Sequence, residues 1–168
     1  MRGKHFLVFA TVASAAETRR QLVETANFPP LVAFSHKTIQ PTSASSLSVA
    51  LPKSIKLMTL TSNYAATNGG KVLLRLAHLY ALGEHPTLSL PVNISLKEVF
   101  GKTGLQVKSA TETSLTANQD AAVMDAAHAA GGSWTADPVL PRRRLNPLDP
   151  RLEVTVGPME VRTFLVEL

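Results

Sequence analysis

Residues 72–82 read VLLRLAHLYAL, and this stretch decides the fold because it is apolar on both faces. Successive side chains of a strand point to opposite sides of the sheet. One face therefore carries Val72, Leu74, Leu76, His78 and Tyr80, and the other carries Leu73, Arg75, Ala77, Leu79 and Ala81. A strand of this kind needs apolar cover on both sides, so the pattern predicts a strand in the middle of a β-sandwich.

Two hairpins are predicted around this strand. Residues 55–61 form a second β-type run, and the segment 63–70 between the two runs contains Asn68-Gly69-Gly70, a strong turn signal. Near the end of the chain, residues 152–156 and 159–166 flank Gly157-Pro158 and predict another hairpin.

The stretch between the two hairpins is also rich in β-type residues. Residues 90–96 alternate apolar and polar side chains, which predicts a strand. Residues 97–100 fit a brief helical turn, and residues 104–116 offer one or two further strands.

The opening residues, MRGKHFLVFATVASAAET, allow two interpretations. The basic start, the apolar run and the small residues after it have the outline of a secretory signal that is cleaved near Ala16. In the other interpretation residues 5–11 form a strand, and Ser14 with Glu17 forms a capping box that begins a helix ending near Asn27. An export signal has no reason to precede a capped amphipathic helix, so the second interpretation is favoured.

A short strand is predicted at residues 31–34, and a second capping box, at residues 116–119, precedes the alanine-rich run 121–130. Gly131-Gly132 follows this run as a helix stop. The predicted fold class is mostly β: an antiparallel β-sandwich with two short peripheral helices, in a single domain of residues 1–168.

Composition excludes several classes of protein. The 168 residues are 45% hydrophobic and contain no cysteine, which argues for a folded domain without disulfides or cysteine zinc sites. No apolar run reaches the roughly 18 residues of a membrane-spanning helix, so no membrane span is predicted.

The net charge is +5, yet the basic residues are scattered apart from Arg142-Arg143-Arg144. Acidic residues flank that triplet and aromatic residues do not interleave it, so a solvated loop is favoured and no nucleic acid partner is predicted.

No catalytic motif is visible in the sequence. Phosphate-binding glycine loops, a nucleophile elbow and H-E-x-x-H are all absent. The histidines are His5, His36, His78, His85 and His128, and their spacing does not suggest a metal site.

Asn93-Ile94-Ser95 is an N-glycosylation sequon, and the alternation turns Asn93 away from the face that carries Val92 and Ile94. Asn93 is therefore a glycosylation candidate.

Several motifs, in order along the chain, resemble the C-terminal region of the lysosomal-type (class II) α-mannosidases of glycoside hydrolase family 38. Residues 2–5, RGKH, resemble the R-G-x-H strand that opens this region. Residues 51–60 resemble the L-P…LLTL strand. Residues 73–78, LLRLAH, with Tyr80 and Gly83-Glu84, resemble its L-L-R-L-x-H…G-E partner, and residues 113–119 resemble a T-x-L-x-A-N-Q stretch. Residues 157–165, GPMEVRTFL, resemble the terminal P-M-E-[IV]-R-T-F motif. The motif residues, to which the resemblance gives a structural role, are Arg75, His78, Gly83, Glu84, Asn118, Gln119, Pro158, Met159, Glu160, Arg162, Thr163 and Phe164.

The resemblance implies a parent enzyme that removes terminal α-linked mannose from glycans with retention, using zinc and an aspartate nucleophile. The zinc ligands and the nucleophile belong to the family's catalytic domain, and no position here matches their motifs, so no catalytic or metal residue is assigned. The fragment is expected to be inactive alone and to pack on the remaining domains of the parent α-mannosidase, at one edge of the substrate cleft. Mannose-containing glycans are expected to bind to the parent enzyme, and to involve this fragment only as part of it.

The resemblance also implies a lysosomal or other secretory-pathway lumen as the location. It makes residues 1–18 an internal strand and helix, and the signal-like pattern a coincidence. The alternative function is a lectin-like carbohydrate-binding module acting on its own. The low aromatic content of 5% and the single Trp134 in a proline-rich loop argue against it.

Overall fold

The computed structural model describes residues 3–38, 45, 47–65, 69–101, 106–130, 145–146 and 149–168. Its strands are β1 Ile55–Thr61, β2 Lys71–His78, β3 Val92–Ser95, β4 Ser109–Thr113, β5 Glu153–Val156 and β6 Val161–Glu167. Its helices are α1 Ala15–Asn27, α2 Leu96–Phe100 and α3 Ala121–Ala130. The predicted antiparallel β fold is confirmed.

The strands form two antiparallel sheets. One has the order β1-β2-β6-β4 and the other pairs β3 with β5. β2 lies inside the larger sheet, with Leu74 paired to Leu60 on one side and to Phe164 on the other. Leu73, Leu74, Leu76 and Ala77 are all buried, so both faces of β2 are covered as its sequence predicts. The predicted hairpin of β1 and β2 is also confirmed, but β2 ends at His78 and not at Leu82 as predicted.

The core draws on both sheets and on α2. Leu74 and Phe164 of the larger sheet belong to the same buried cluster as Ile94 and Val156 of the smaller one. Leu96 and Phe100 of α2 also belong to this cluster. They are four positions apart and therefore lie on the same face of the helix, whereas the apolar residues of β3 are two positions apart. Burial of apolar side chains between two sheets is the main stabilising contribution to such a fold.

The predicted C-terminal hairpin is wrong. β5 pairs with β3 in the smaller sheet, whereas β6 pairs with β2 and β4 in the larger one. Between them the Gly157 N–H donates to Glu160 Oε2 at 2.8 Å, and the Met159 N–H donates to the Tyr80 carbonyl at 3.0 Å. Met159 has a φ of 56°, so the backbone turns sharply there and carries the chain from one sheet to the other.

The predicted boundaries of α1 are confirmed, but its predicted capping box is not formed. Ser14 and Asn27 bound α1, but the Ser14 side chain makes no capping bond and its hydroxyl lies 2.8 Å from that of Thr11. The capping box predicted at residues 116–119 is also wrong, because α3 begins only at Ala121. Thr116 Oγ1 instead donates to Asn118 Oδ1 at 2.9 Å within a turn.

The strands predicted at residues 5–11 and 31–34 are not formed. Both segments have non-regular backbone, and Phe9 and Phe34 are 90% and 96% exposed. A strand needs a neighbour to bond with, and within the described residues neither segment has one. Arg142-Arg143-Arg144, Trp134, Gly131-Gly132 and Asn68 lie outside the described residues.

We predict that Leu74→Ala lowers the free energy of unfolding by about 2–5 kcal/mol, because it leaves a cavity in the shared core. Leu82→Ala is the matched control, since the Leu82 side chain is 77% exposed and its loss should change stability by less than about 0.5 kcal/mol. Urea unfolding measures both values. Equal effects of the two substitutions would contradict the central position of β2.

Candidate functional site

Arg162 of β6 forms a buried ion pair with Glu112 of β4. Its Nε donates to Glu112 Oε1 at 2.9 Å and its Nη2 to Oε2 at 2.5 Å, and the two side chains are 3% and 7% exposed. Two backbone groups complete the arrangement. The Leu145 N–H donates to Glu112 Oε2 at 3.2 Å, and Arg162 Nη1 donates to the Thr155 carbonyl at 2.5 Å. The pair therefore connects two strands of the larger sheet to β5 of the smaller sheet and to residue 145.

The resemblance motif includes Arg162, but sequence reasoning missed Glu112. One signal was available: Glu112 shares a face of β4 with the fully buried Ala110, so a charged residue stands on an inward-facing position. A charge there must have a partner, because burying an unpaired carboxylate costs several kcal/mol.

Glu84 holds helix α1 against the sandwich. Gly83, with a φ of 71°, turns the chain so that Glu84 Oε2 accepts the Ala81 N–H at 2.8 Å. Glu84 Oε2 also lies 2.7 Å from Arg20 Nη2, and Oε1 accepts from Arg19. The hydrogen bond from Arg20 lowers the pKa of Glu84 to about 2. We call Glu84, Arg19 and Arg20 the helix clamp.

Two further ion pairs support α1, which buries none of its own residues. Lys53 Nζ lies 2.9 Å from Glu17 Oε1, and this bond lowers the pKa of Glu17. Lys56 Nζ lies 2.5 Å from Glu24 Oε2 and 3.5 Å from the centroid of the Phe28 ring. The helix is thus held mainly by charge.

His78 lies at the end of β2 and is 3% exposed. Its Nε2 is 3.1 Å from the Leu90 carbonyl oxygen, and its Nδ1 is 3.2 Å from the Tyr80 backbone nitrogen. The Nδ1 atom also lies 3.1 Å from the Tyr80 carbonyl oxygen, so both ring nitrogens contact backbone atoms. The His78 N–H donates to the Glu160 carbonyl, and the Tyr80 carbonyl accepts from Met159, so the two longest resemblance motifs meet here.

The remaining motif residues lie in β2, in β6, in the crossing between the sheets and in the turn before α3. Arg75 Nε and Nη2 donate to the Leu115 carbonyl at 3.2 and 3.0 Å. Asn118 Oδ1 accepts from Ser114 Oγ at 2.6 Å, and the Gln119 carbonyl accepts the Ser114 N–H at 2.9 Å. Thr163 and Phe164 are buried in β6, and Pro158 lies in the crossing between the sheets. These contacts order turns and strand ends.

The chemistry of these clusters is structural. Glu84 and Glu112 each receive guanidinium hydrogen bonds, and at Glu84 these lower the pKa and oppose proton donation. Within the described part of the chain, no group of three or more His, Asp or Glu side chains is placed to hold a metal ion. The described residues therefore do not offer the set of side chains that a zinc ion needs as ligands.

Comparison with known proteins identifies this architecture. Residues 54–164 match the model of the glycosyl hydrolases family 38 C-terminal beta sandwich domain. The chain belongs to glycosyl hydrolase family 38. The resemblance drawn from its motifs is therefore confirmed, and the matched region of this family 38 chain begins one residue before β1 and ends within β6.

The similarity extends beyond the sandwich. A probable α-mannosidase of Arabidopsis thaliana is 33% identical over 99% of the chain, and the lysosomal α-mannosidases of Cavia porcellus and Homo sapiens are 32% and 33% identical over all of it. The chain spans only 16–17% of the length of these relatives. The lectin-like alternative gains no support from these relatives, whose names are those of α-mannosidases.

We predict that Arg162→Met lowers the free energy of unfolding by about 3–5 kcal/mol, because Glu112 would remain buried without its partner. Arg151→Met is the control. Arg151 and Glu153 form an exposed pair at 3.5 Å, which should contribute less than about 1 kcal/mol. Denaturant unfolding compares the two variants, and similar losses in both would contradict a special role for the buried pair.

A second prediction concerns the helix clamp. The pKa of Glu84 in the folded chain, about 2, lies below its ordinary value of 4.5. Its stabilising contribution is therefore fully present above about pH 4.5 and is lost as the pH falls towards 2. Glu84→Gln should remove it at every pH and make amide exchange in residues 15–27 about tenfold faster, while exchange in β2 and β6 stays unchanged.

Hydrogen exchange followed by NMR at neutral pH tests this substitution. Glu153→Gln, on the exposed pair, is the matched control and should leave α1 unaffected. If Glu84→Gln leaves exchange in α1 unchanged, the clamp does not hold the helix.

Proposed function

We propose that this chain is the non-catalytic C-terminal β part of an α-mannosidase, and that the whole enzyme hydrolyses terminal α-linked mannose from glycans with retention. The observation that carries the proposal is the family 38 sandwich match over residues 54–164, joined to similarity with α-mannosidases over nearly the whole chain. The structure supports the non-catalytic role, because the polar clusters of the described residues are engaged in holding strands and helix together.

The surface around α1 supports a packing role. Phe6, Leu7, Phe9 and Val12 before the helix are 59–98% exposed, and Phe28, Leu31, Val32 and Phe34 after it are 65–98% exposed. We call these two stretches the apolar flanks. So many large apolar side chains in water favour association. The occupant that we propose is the remainder of the α-mannosidase, since the relatives are about six times longer than this chain.

The proposal treats residues 1–168 as one domain that presents the apolar flanks to its neighbours. The ion pairs of α1 with Glu84, Lys53 and Lys56 support this, because they attach the flanks to the sandwich. Such contacts could place the sandwich at one edge of the substrate cleft. The zinc and the aspartate nucleophile implied by the family would then belong to the catalytic domain.

The location that we propose is a lysosomal or other secretory-pathway lumen. Relatives from several mammals are named lysosomal α-mannosidases. None of the described helices has the length and apolar character needed to cross a membrane.

The test is peptide mapping of α-mannosidase purified by its activity from the source organism. We expect the tryptic peptide covering residues 76–97 to co-purify with the activity. The isolated chain, assayed with added zinc, should show no turnover above the blank. Finding the peptide only in fractions without α-mannosidase activity would contradict the proposal, and zinc-dependent turnover by the chain alone would contradict its non-catalytic part.

A further inference from the structure

Asn93-Ile94-Ser95 is the single N-x-S/T sequon of the chain. The other asparagines are Asn27, Asn63, Asn68, Asn118 and Asn146, and none has Ser or Thr two positions later. A sequon alone is a weak signal, because the triplet is short and arises often by chance. The geometry of β3 supplies the second observation.

Asn93 lies on the outer face of the smaller sheet. Its neighbour Ile94 is 4% exposed and points into the core, whereas Asn93 itself is exposed. On β5 the directly paired residue is Thr155, whose Oγ1 donates to Asn93 Oδ1 at 2.6 Å. This bond fixes the oxygen side of the amide against the sheet and leaves Nδ2 on the opposite side.

Attachment at Nδ2 is compatible with this arrangement. A glycosylated asparagine keeps its Oδ1 acceptor, so the Thr155 hydrogen bond persists and the sugar extends from the outer face of β3. β3 is paired on one side, by β5, in the described residues. A glycan beside its other edge would also oppose pairing with a foreign strand.

Ser95 is engaged in the folded chain. Its Oγ donates to the Arg151 carbonyl at 3.0 Å and accepts the Glu98 N–H at 3.2 Å as the N-cap of α2. These two hydrogen bonds engage the sequon hydroxyl, so its recognition is favoured before β3 and α2 form. After folding, the same hydroxyl stabilises the helix start.

We propose that Asn93 carries an N-linked oligosaccharide, an inference that rests on the luminal location in the proposed function. The donor is an oligosaccharide attached to a lipid pyrophosphate. Asn93 Nδ2 forms a bond to the anomeric carbon and loses a proton, the bond from that carbon to the pyrophosphate oxygen breaks, and the lipid pyrophosphate leaves. The outer face of the β3–β5 sheet then stays in solvent, which directs packing on other domains to the apolar flanks.

The test expresses the full chain behind an export signal in a eukaryotic host, with Asn93→Gln and Ser95→Thr as variants. Ser95→Thr keeps a hydroxyl for both recognition and capping. We expect a heavier wild-type band that peptide N-glycosidase collapses, no such band in Asn93→Gln, and at least wild-type occupancy in Ser95→Thr. Release in heavy-oxygen water should label residue 93 as aspartate in the peptide 76–97.

Removal of the export signal verifies that the chain has entered the lumen, so an unmodified Asn93 in that material overturns the proposal. The protein from its source is mapped in parallel. An unmodified Asn93 in the source protein also overturns the proposal, even where the exported chain is modified. The proposed function is tested separately, by co-purification of the peptide 76–97 with α-mannosidase activity.

Discussion

The ion pair between Arg162 and Glu112 is the contact on which the arrangement of the two sheets depends. Both charges are almost fully buried, so neither is tolerated without the other. The guanidinium also reaches the Thr155 carbonyl, and the carboxylate also accepts the Leu145 N–H. Apolar burial is non-directional, whereas these directional bonds favour one position of β5 relative to β4 and β6.

Helix α1 is attached on a different physical basis. Its contacts with the sandwich are ion pairs at partly exposed positions, and none of its residues is buried. Such attachment contributes modestly to stability and is weakened by salt. The low pKa of Glu84 nevertheless keeps its carboxylate ionised well below pH 4.5, so an acidic lumen, as proposed for this chain, would leave the helix clamp intact. The apolar flanks, carried by the same helix, then remain in place for a neighbouring domain.

Membership in family 38 and the contacts of the motif residues fit together. Arg75, Gly83, Glu84 and Asn118 order turns, and His78 and Arg162 join strand ends to other segments. Polar residues with such contacts support a scaffold. The proposed glycan at Asn93 would lie on the outer face of the smaller sheet, so one face of this scaffold meets solvent and another is left for the enzyme.

The sequence by itself determined the antiparallel β class, the central position of β2, the β1–β2 hairpin, the bounds of α1 and the family. The β class, the position of β2, the hairpin and the bounds of α1 follow from local periodicity and turn residues, which act between near neighbours. The family follows instead from the resemblance of short motifs along the chain. It did not determine the partner of Arg162, because Glu112 is brought to it only by pairing of strands that are remote in sequence. It also predicted a hairpin where the chain changes sheets, and strands in both flanks. The tertiary structure decided these points. Strand pairing depends on which strand edge lies nearby in space, and the spacing of apolar residues along the chain does not indicate that edge.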